Sequence, residues 1–160
     1  MRIMYRGFMA ELLKIGEKAP DFESVDQDGR PVKLRDFTGK PVIVYFYPAD
    51  DTPGCTAEAC SFRDNITAYE QAGVKVLGVS VNTQNSHRKF ADKYNLNFTL
   101  VVDNSKKIAS DYGVLGTRSA SRVTYIVGPD GKIAYVYPKV SPKDHAPEVM
   151  QKLRELKLVN

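Results

Sequence analysis

The stretch PVIVYFYPADDTPGCTAEACSF, residues 41–62, decides how the chain is to be read. Its first seven residues are an almost unbroken apolar run, rich in β-branched and aromatic side chains. Such a run suits a central strand covered on both faces. From Pro53 the period changes. Ala59, Phe62, Ile66 and Tyr69 recur on one helical face until Gly73, a residue suited to a helix C-terminus. Thr52 is a good N-cap, and Pro53 is favoured at the first helical position. A buried strand that feeds directly into a helix is a building unit of an α/β sheet. The same turn carries Cys55, and Cys60 follows five residues later; the chain has no other cysteine.

Working outward, VKVLGVSV (74–81) reads as a second buried strand, SHRKFADKYNL (86–96) as a helix and FTLVVD (98–103) as a third strand. SKKIASDYG (105–113) is a short helix ending at Gly113. RVTYIV (122–127), the turn GPDG and KIAYVYPKV (132–140) form an antiparallel hairpin. DHAPEVMQKLRELKL (144–158) is an amphipathic helix. Upstream, DFESVDQDGRPVKL (21–34) reads as two short strands around a turn at Asp28-Gly29. The order is hairpin, βαβαβα, hairpin, helix. It implies a central mixed, mostly parallel sheet with helices on both faces, the last hairpin supplying antiparallel edges. The pattern fits one α/β domain of thioredoxin-like fold over residues 1–160, with an N-terminal β-hairpin extension. Residues 1–14 are set aside as peripheral, and the start is open among Met1, Met4 and Met9.

The bulk numbers agree with one soluble domain: 160 residues, 42% hydrophobic and 26% charged. The net charge of +4 is spread among interleaved acids, which describes a mixed-charge solvated surface rather than a nucleic-acid footprint. No apolar run approaches the roughly 18 residues of a membrane span. The first 16 residues lack the continuous apolar core of a secretory signal, being broken by Arg6, Glu11 and Lys14. A cytoplasmic location is expected, and there two cysteines read as catalytic, redox-active or metal-binding rather than as a structural staple.

Cys55 falls in the first turn of its helix, among free backbone N–H groups and at the positive end of the helix dipole, a setting that favours a thiolate. The strand-to-helix turn also lies at the carboxyl edge of the parallel strands, where open α/β sheets place their sites. Gly54 removes a side chain beside the sulfur and opens the approach. A lone buried cysteine is commonly a small hydrophobe, but the Thr-Pro-Gly-Cys context sets Cys55 apart. Cys60 is open between core filler and second redox thiol. His87 and His145 read as solvated surface residues. A zinc module joining them to the two cysteines has the wrong ligand spacing.

YPADDTPGCTAEACSFRD (47–64) resembles the active-site segment of a peroxiredoxin, and within that family the PrxQ branch, also called bacterioferritin comigratory protein. The family pattern of Pro, three residues, Thr, two residues, Cys is matched by Pro48, Thr52 and Cys55. Cys60 matches the second cysteine that the branch often carries five residues later. The resemblance runs from GEKAPDFES (16–24) through DFTGKPVIVYFYP (36–48) to RVTYIVGPDGKI (122–133) and covers residues 16 to 155.

The resemblance implies a thiol-dependent peroxidase. Cys55 would be the peroxidatic cysteine, attacking a peroxide and becoming a sulfenic acid. Thr52 would hydrogen-bond the sulfur and the peroxide oxygen, Arg122 would favour the thiolate, and Pro48 would shield it from water. Thr52, Gly54, Cys55 and Arg122 would together bind the peroxide. Cys60 would resolve the sulfenic acid as an intramolecular Cys55–Cys60 disulfide. Glu58 either orients an arginine or partners the helix dipole, and Arg63 suits a surface salt bridge. Between DYGV and RVTYIV the chain has only LGTRSAS, shorter than in many members. Arg118 and Arg122 are both available there, and Arg122 is preferred because it directly precedes the strand. Hydrogen peroxide and alkyl hydroperoxides are the implied substrates, and a thioredoxin-like or other dithiol protein the reductant. The resemblance implies no metal, flavin or haem, no nucleic acid or membrane, and a monomer or weak dimer. The alternative is a thiol–disulfide carrier of the same fold, although carriers usually show Cys-x-x-Cys. Residues i and i+5 of an intact helix lie roughly 8–9 Å apart at Cα, beyond the ~7 Å reach of a disulfide. The first turns are therefore expected to unwind when that bond forms.

Overall fold

A computed structural model of the chain describes residues 2–5 and 8–160, with side chains from residue 11 onward. The reading of Met1 as one of three starts lies outside the described residues. Two hairpins come first. β1 (Arg2–Tyr5) pairs antiparallel with β2 (Phe8–Glu11), and β3 (Glu23–Val25) with β4 (Pro31–Lys33). The second is the hairpin expected over 21–34. Gly29 turns it with a φ of 79°, and the Asp26 carboxylate accepts the N–H groups of Asp28 and Arg30. The first has no counterpart in the sequence reading. Leu12 just after it is 4% exposed, and the Leu13 N–H donates to the Tyr125 hydroxyl. Leu12 thus joins the core, while Lys14 is exposed.

The central sheet has five strands in the order β7-β6-β5-β8-β9. β5 (Val42–Phe46), β6 (Lys75–Ser80) and β7 (Thr99–Val102) are parallel. β8 (Val123–Val127) runs antiparallel to β5, and β9 (Ile133–Tyr137) antiparallel to β8. Only one strand of the final hairpin is therefore an edge. β8 is buried along its whole length and, Thr124 aside, built of apolar and aromatic side chains, the signature of an interior strand.

The alternation along β5 divides the interior in two. Ile43, Tyr45 and Tyr47 face a core shared with α1 (Pro53–Gln71), α2 (Gln84–Tyr94) and α4 (His145–Glu155). Val42, Val44 and Phe46 face a second core shared with the β3–β4 hairpin and α3 (Lys107–Asp111). Gly78 of β6 lies in register with Tyr45, and a Cβ there would stand 2.8 Å from the tyrosine hydroxyl. The missing side chain admits the Tyr45 ring, which stacks on Phe62 of α1 at 4.8 Å. Phe62, Ile66 and Tyr69 anchor the middle of α1, each worth roughly 1.5–3 kcal/mol by burial. Its first turns rest on the smaller Cys55 and Ala59. The helix ends as expected at Gly73, φ 74°, where the Val74 N–H returns to the Tyr69 carbonyl.

Candidate active site

β5 ends at Phe46, and after the intervening residues 47–52 α1 begins at Pro53. The intervening turn is held tightly. Asp51 takes a left-handed φ of 57°, which few non-glycine residues adopt. Its carboxylate accepts the Lys93 ammonium at 2.8 Å and the Tyr94 hydroxyl at 2.6 Å. Thr52 occupies the N-cap in extended conformation, as expected, but its side chain does not cap. Its hydroxyl donates back to the Ala49 carbonyl at 2.9 Å. Among the described residues no side-chain cap bonds the first N–H groups of α1, which leaves the positive end of the helix beside Cys55.

Cys55 is the third residue of α1 and is 1% exposed. Arg122, directly before β8, donates from Nη2 to its sulfur at 3.3 Å. From Nη1 it donates to Glu58 Oε1 at 2.8 Å. Gly54 is the reason the guanidinium fits: a Cβ there would stand 2.9 Å from Nη2. The space expected to open the approach to sulfur is filled by arginine. Pro142, in the turn before α4, closes the other side, 3.8 Å from the same point. Nothing in its sequence neighbourhood singled it out.

Glu58 is fully buried, which selects orientation of the arginine over a dipole partner at the surface. Burial pushes its carboxyl up to about 7, with Arg122 pulling the other way. Its second oxygen has no hydrogen-bond partner among the described residues. Arg118 is exposed in the loop, so Arg122 is the arginine at the sulfur. Pro48 stands half-buried at the head of the turn. Cys60 is half-buried on the same unbroken helix as Cys55, and both are free thiols. Arg63 pairs with Asp64 at 2.9 Å, as expected for a surface bridge, and also donates to the Tyr94 carbonyl at 2.6 Å.

The two histidines correct the sequence reading: both are fully buried. His87 bridges Asp50 and the Val101 carbonyl. His145 bridges Thr124 at 2.8 Å and Glu148 at 3.1 Å, and packs edge-on against Phe62. A polar ring at a helix start looks solvated in sequence; here each ring nitrogen finds an internal partner, which makes burial affordable. Among the described residues no group of three or more His, Cys, Asp or Glu is arranged to hold a metal ion.

The AhpC/TSA family model matches residues 15–136. The chain is 44% identical over 147 residues to a chloroplastic peroxiredoxin Q of Sedum lineare, covering 89% of this chain and 78% of that one. It is 41% identical over 149 residues to a putative peroxiredoxin bcp of Coxiella burnetii, covering 88% and 99%. The solved Xanthomonas campestris bacterioferritin comigratory protein, described for its alkyl peroxide reduction activity, superposes with a TM-score of 0.83 at 28% identity, covering 89% and 98%.

Proposed function

The chain belongs to the AhpC/TSA family and is a thiol-dependent peroxidase of thioredoxin-like fold; we propose that Cys55 is its peroxidatic thiol and Cys60 its resolving thiol. The observation that carries the assignment is the Cys55–Arg122–Glu58 chain at the N-terminal end of α1. A guanidinium on sulfur favours the thiolate and faces the charge that develops as the O–O bond breaks. Glu58 fixes the other edge of the guanidinium so that its orientation is set in advance.

The thiolate attacks one peroxide oxygen and the O–O bond breaks. Sulfur becomes a sulfenic acid, and the departing oxygen takes up a proton as water or an alcohol. The Thr52 hydroxyl uses its one hydrogen in a bond to the Ala49 carbonyl. Its oxygen is therefore an acceptor for the peroxide O–H, which turns the attacked oxygen toward sulfur. The Cys60 thiol then displaces hydroxide from the sulfenic sulfur, forming the disulfide and water. A dithiol protein of thioredoxin type reduces that disulfide, taking its two electrons from its own thiols. Pro48, half-buried at the head of the turn, is proposed to shield the sulfur from bulk water. Hydrogen peroxide and alkyl hydroperoxides are the proposed substrates.

Among the described residues, no helix is long and apolar enough to cross a membrane. The proposed compartment is the cytoplasm, where thioredoxin-type reductants keep thiols reduced. One domain over residues 1–160, acting as monomer or weak dimer, is the proposed organisation. Ile15 and Leu156 are the only large apolar side chains exposed among the described residues, which supports it. Thiol counting tests the site: one equivalent of peroxide should consume both thiols of the wild type, and leave the single thiol of Cys55→Ser unreacted.

A further inference from the structure

A buried polar cluster stands behind the active-site turn, and the chemistry of Cys55 does not use it directly. The Asp50 side chain is 4% exposed and that of His87 is 0% exposed, with Nδ1 of the ring 2.7 Å from Asp50 Oδ2. The same oxygen accepts the Ser86 hydroxyl at 2.7 Å, and Oδ1 accepts the Tyr47 hydroxyl at 2.6 Å. On its far side the His87 ring meets the Val101 carbonyl from Nε2 at 2.9 Å. A carbonyl only accepts, so Nε2 carries a proton. The carboxylate takes two hydroxyls, and the contact with Nδ1 is its third polar partner. One imidazole thus ties the turn to α2 and to β7 at once.

The connection from this pair to the reacting atoms runs through a single peptide plane. The Asp50 N–H donates to Asn82 Oδ1 at 3.0 Å. The carbonyl of the same peptide unit, that of Ala49, accepts the Thr52 hydroxyl at 2.9 Å. Because the unit is planar, fixing Asp50 at its side chain and its nitrogen fixes the direction of the Ala49 carbonyl. That direction sets where the Thr52 oxygen presents its lone pairs.

We propose that Asp50 and His87 are positioning residues for the peroxide step, acting through the 49–50 peptide to orient the Thr52 hydroxyl toward the bound hydroperoxide. The inference rests on the roles proposed for Cys55 and Thr52. It concerns the capture of peroxide, not the later exchange with Cys60 or the reductant. A loosened turn should therefore raise KM for peroxide and leave kcat, governed by recycling, as it was.

The test uses His87→Asn, His87→Gln and Asp50→Asn in the full chain. Asparagine sets an amide nitrogen where Nδ1 stands and keeps the donor to Asp50. Glutamine sets one nearer Nε2 and keeps the bond to Val101 instead. His87→Gln and Asp50→Asn should raise KM for peroxide about tenfold with kcat unchanged, while His87→Asn stays within about threefold. Alkylation of Cys55 by iodoacetamide, which needs no acceptor at Thr52, should stay within about twofold of wild type in all three. In a Thr52→Val background, His87→Gln should cost nothing further, because the two act in series.

An unchanged KM in folded His87→Gln overturns the proposal. So do equal losses in the Asn and Gln variants, a parallel loss of alkylation, or full additivity with Thr52→Val. If neither histidine variant folds, Asp50→Asn and Ser86→Ala carry the same expectation, and an unchanged KM in both overturns it. Cys55→Ser separates the two levels. Retained turnover there defeats the site assignment itself. Lost turnover together with an unaffected His87→Gln defeats only the positioning role.

Discussion

Gly54 and Arg122 compete for one volume: a Cβ on Gly54 would stand 2.9 Å from the guanidinium nitrogen that reaches the Cys55 sulfur. Gly54 lies inside α1 and does not take a positive φ, so the backbone accepts alanine there. What yields is the far end of a long side chain. Gly54→Ala should therefore hold or raise thermal stability, since alanine gains about 0.5–1 kcal/mol over glycine in a helix. The peroxide step should slow about 10- to 100-fold as the donor leaves the sulfur. Stopped-flow oxidation and a melting curve on the same sample check this. A drop in stability with an unaltered rate would contradict it.

Glu58 makes stability depend on pH. Burial raises its carboxyl from 4.5 to about 7 in the folded chain. Between those values the folded state holds a proton that the unfolded state has lost, so stability falls as pH rises through that window. The span corresponds to about 3 kcal/mol. His145 runs the other way. Burial pushes its ring down from 6.5 against the pull of Glu148, so the folded state loses stability as pH falls below 6.5. The clean readout is therefore the difference between wild type and Glu58→Gln in urea melts at pH 5 and pH 8. Wild type should lose stability relative to the variant on going to the higher pH. Parallel curves would remove Glu58 as the titrating group.

Much of this site is legible in the sequence because its parts obey local rules. Thr52, Pro53 and the apolar period of Phe62, Ile66 and Tyr69 announce the helix, and α1 starts at Pro53 as they require. The hairpins over 21–34 and 122–140 follow from their turn residues. The misses at the site are long-range. Whether Thr52 caps its helix or turns back to Ala49 depends on the shape of the 48–52 turn, which Asp50 and Asp51 fix from α2, more than 30 residues away. His87 and His145 look solvated beside their charged neighbours. Each is buried only because a hydrogen-bond partner arrives from another strand, the Val101 carbonyl for one and the Thr124 hydroxyl for the other. Glu58 has two readings until Arg122 is seen to reach it. Pro142 enters the site solely because the turn before α4 packs on the start of α1.

The proposed division of labour between the two thiols follows from their positions. Cys55 has the arginine and the helix start, whereas Cys60 lies five residues on, half-buried. Cys55→Ser should abolish turnover, because a hydroxyl is a poor nucleophile near neutral pH. Cys60→Ser should react once with peroxide and stop at the sulfenic acid. It should then turn over only with an added small thiol, and in excess peroxide should advance to the sulfinic acid. Intact-mass spectra after one and ten equivalents of peroxide distinguish these species. Normal turnover in Cys55→Ser with loss in Cys60→Ser reverses the assignment.

The proposed disulfide would require α1 to open, and the packing of α1 limits how far. Five helical residues separate the cysteine Cα atoms by roughly 8–9 Å, while a disulfide needs less than about 7 Å. The opening has natural limits. Phe62 is fully buried against Tyr45, and Arg63 is pinned from its side chain by the Tyr94 carbonyl and from its own carbonyl by Asn97. Beyond them Tyr69 is tied to the Ala146 carbonyl at 2.6 Å. Residues 53–61 can unwind while 62–71 stay helical, at a cost on the order of 2–4 kcal/mol set against disulfide formation. Unwinding also carries Glu58 from its buried place into water, where its carboxyl ionises at lower pH. The opened form therefore releases a proton between pH 4.5 and about 7 and is favoured as pH rises through that range. In the oxidised protein, amide exchange should accelerate across 53–61, stay slow from 66 to 71, and the contrast with the reduced protein should be larger at pH 8 than at pH 5 once intrinsic rates are corrected. Equal protection of 53–61 in both redox states, with the Cys55–Cys60 bond established by mass spectrometry, would show that the helix accommodates the bond by another route.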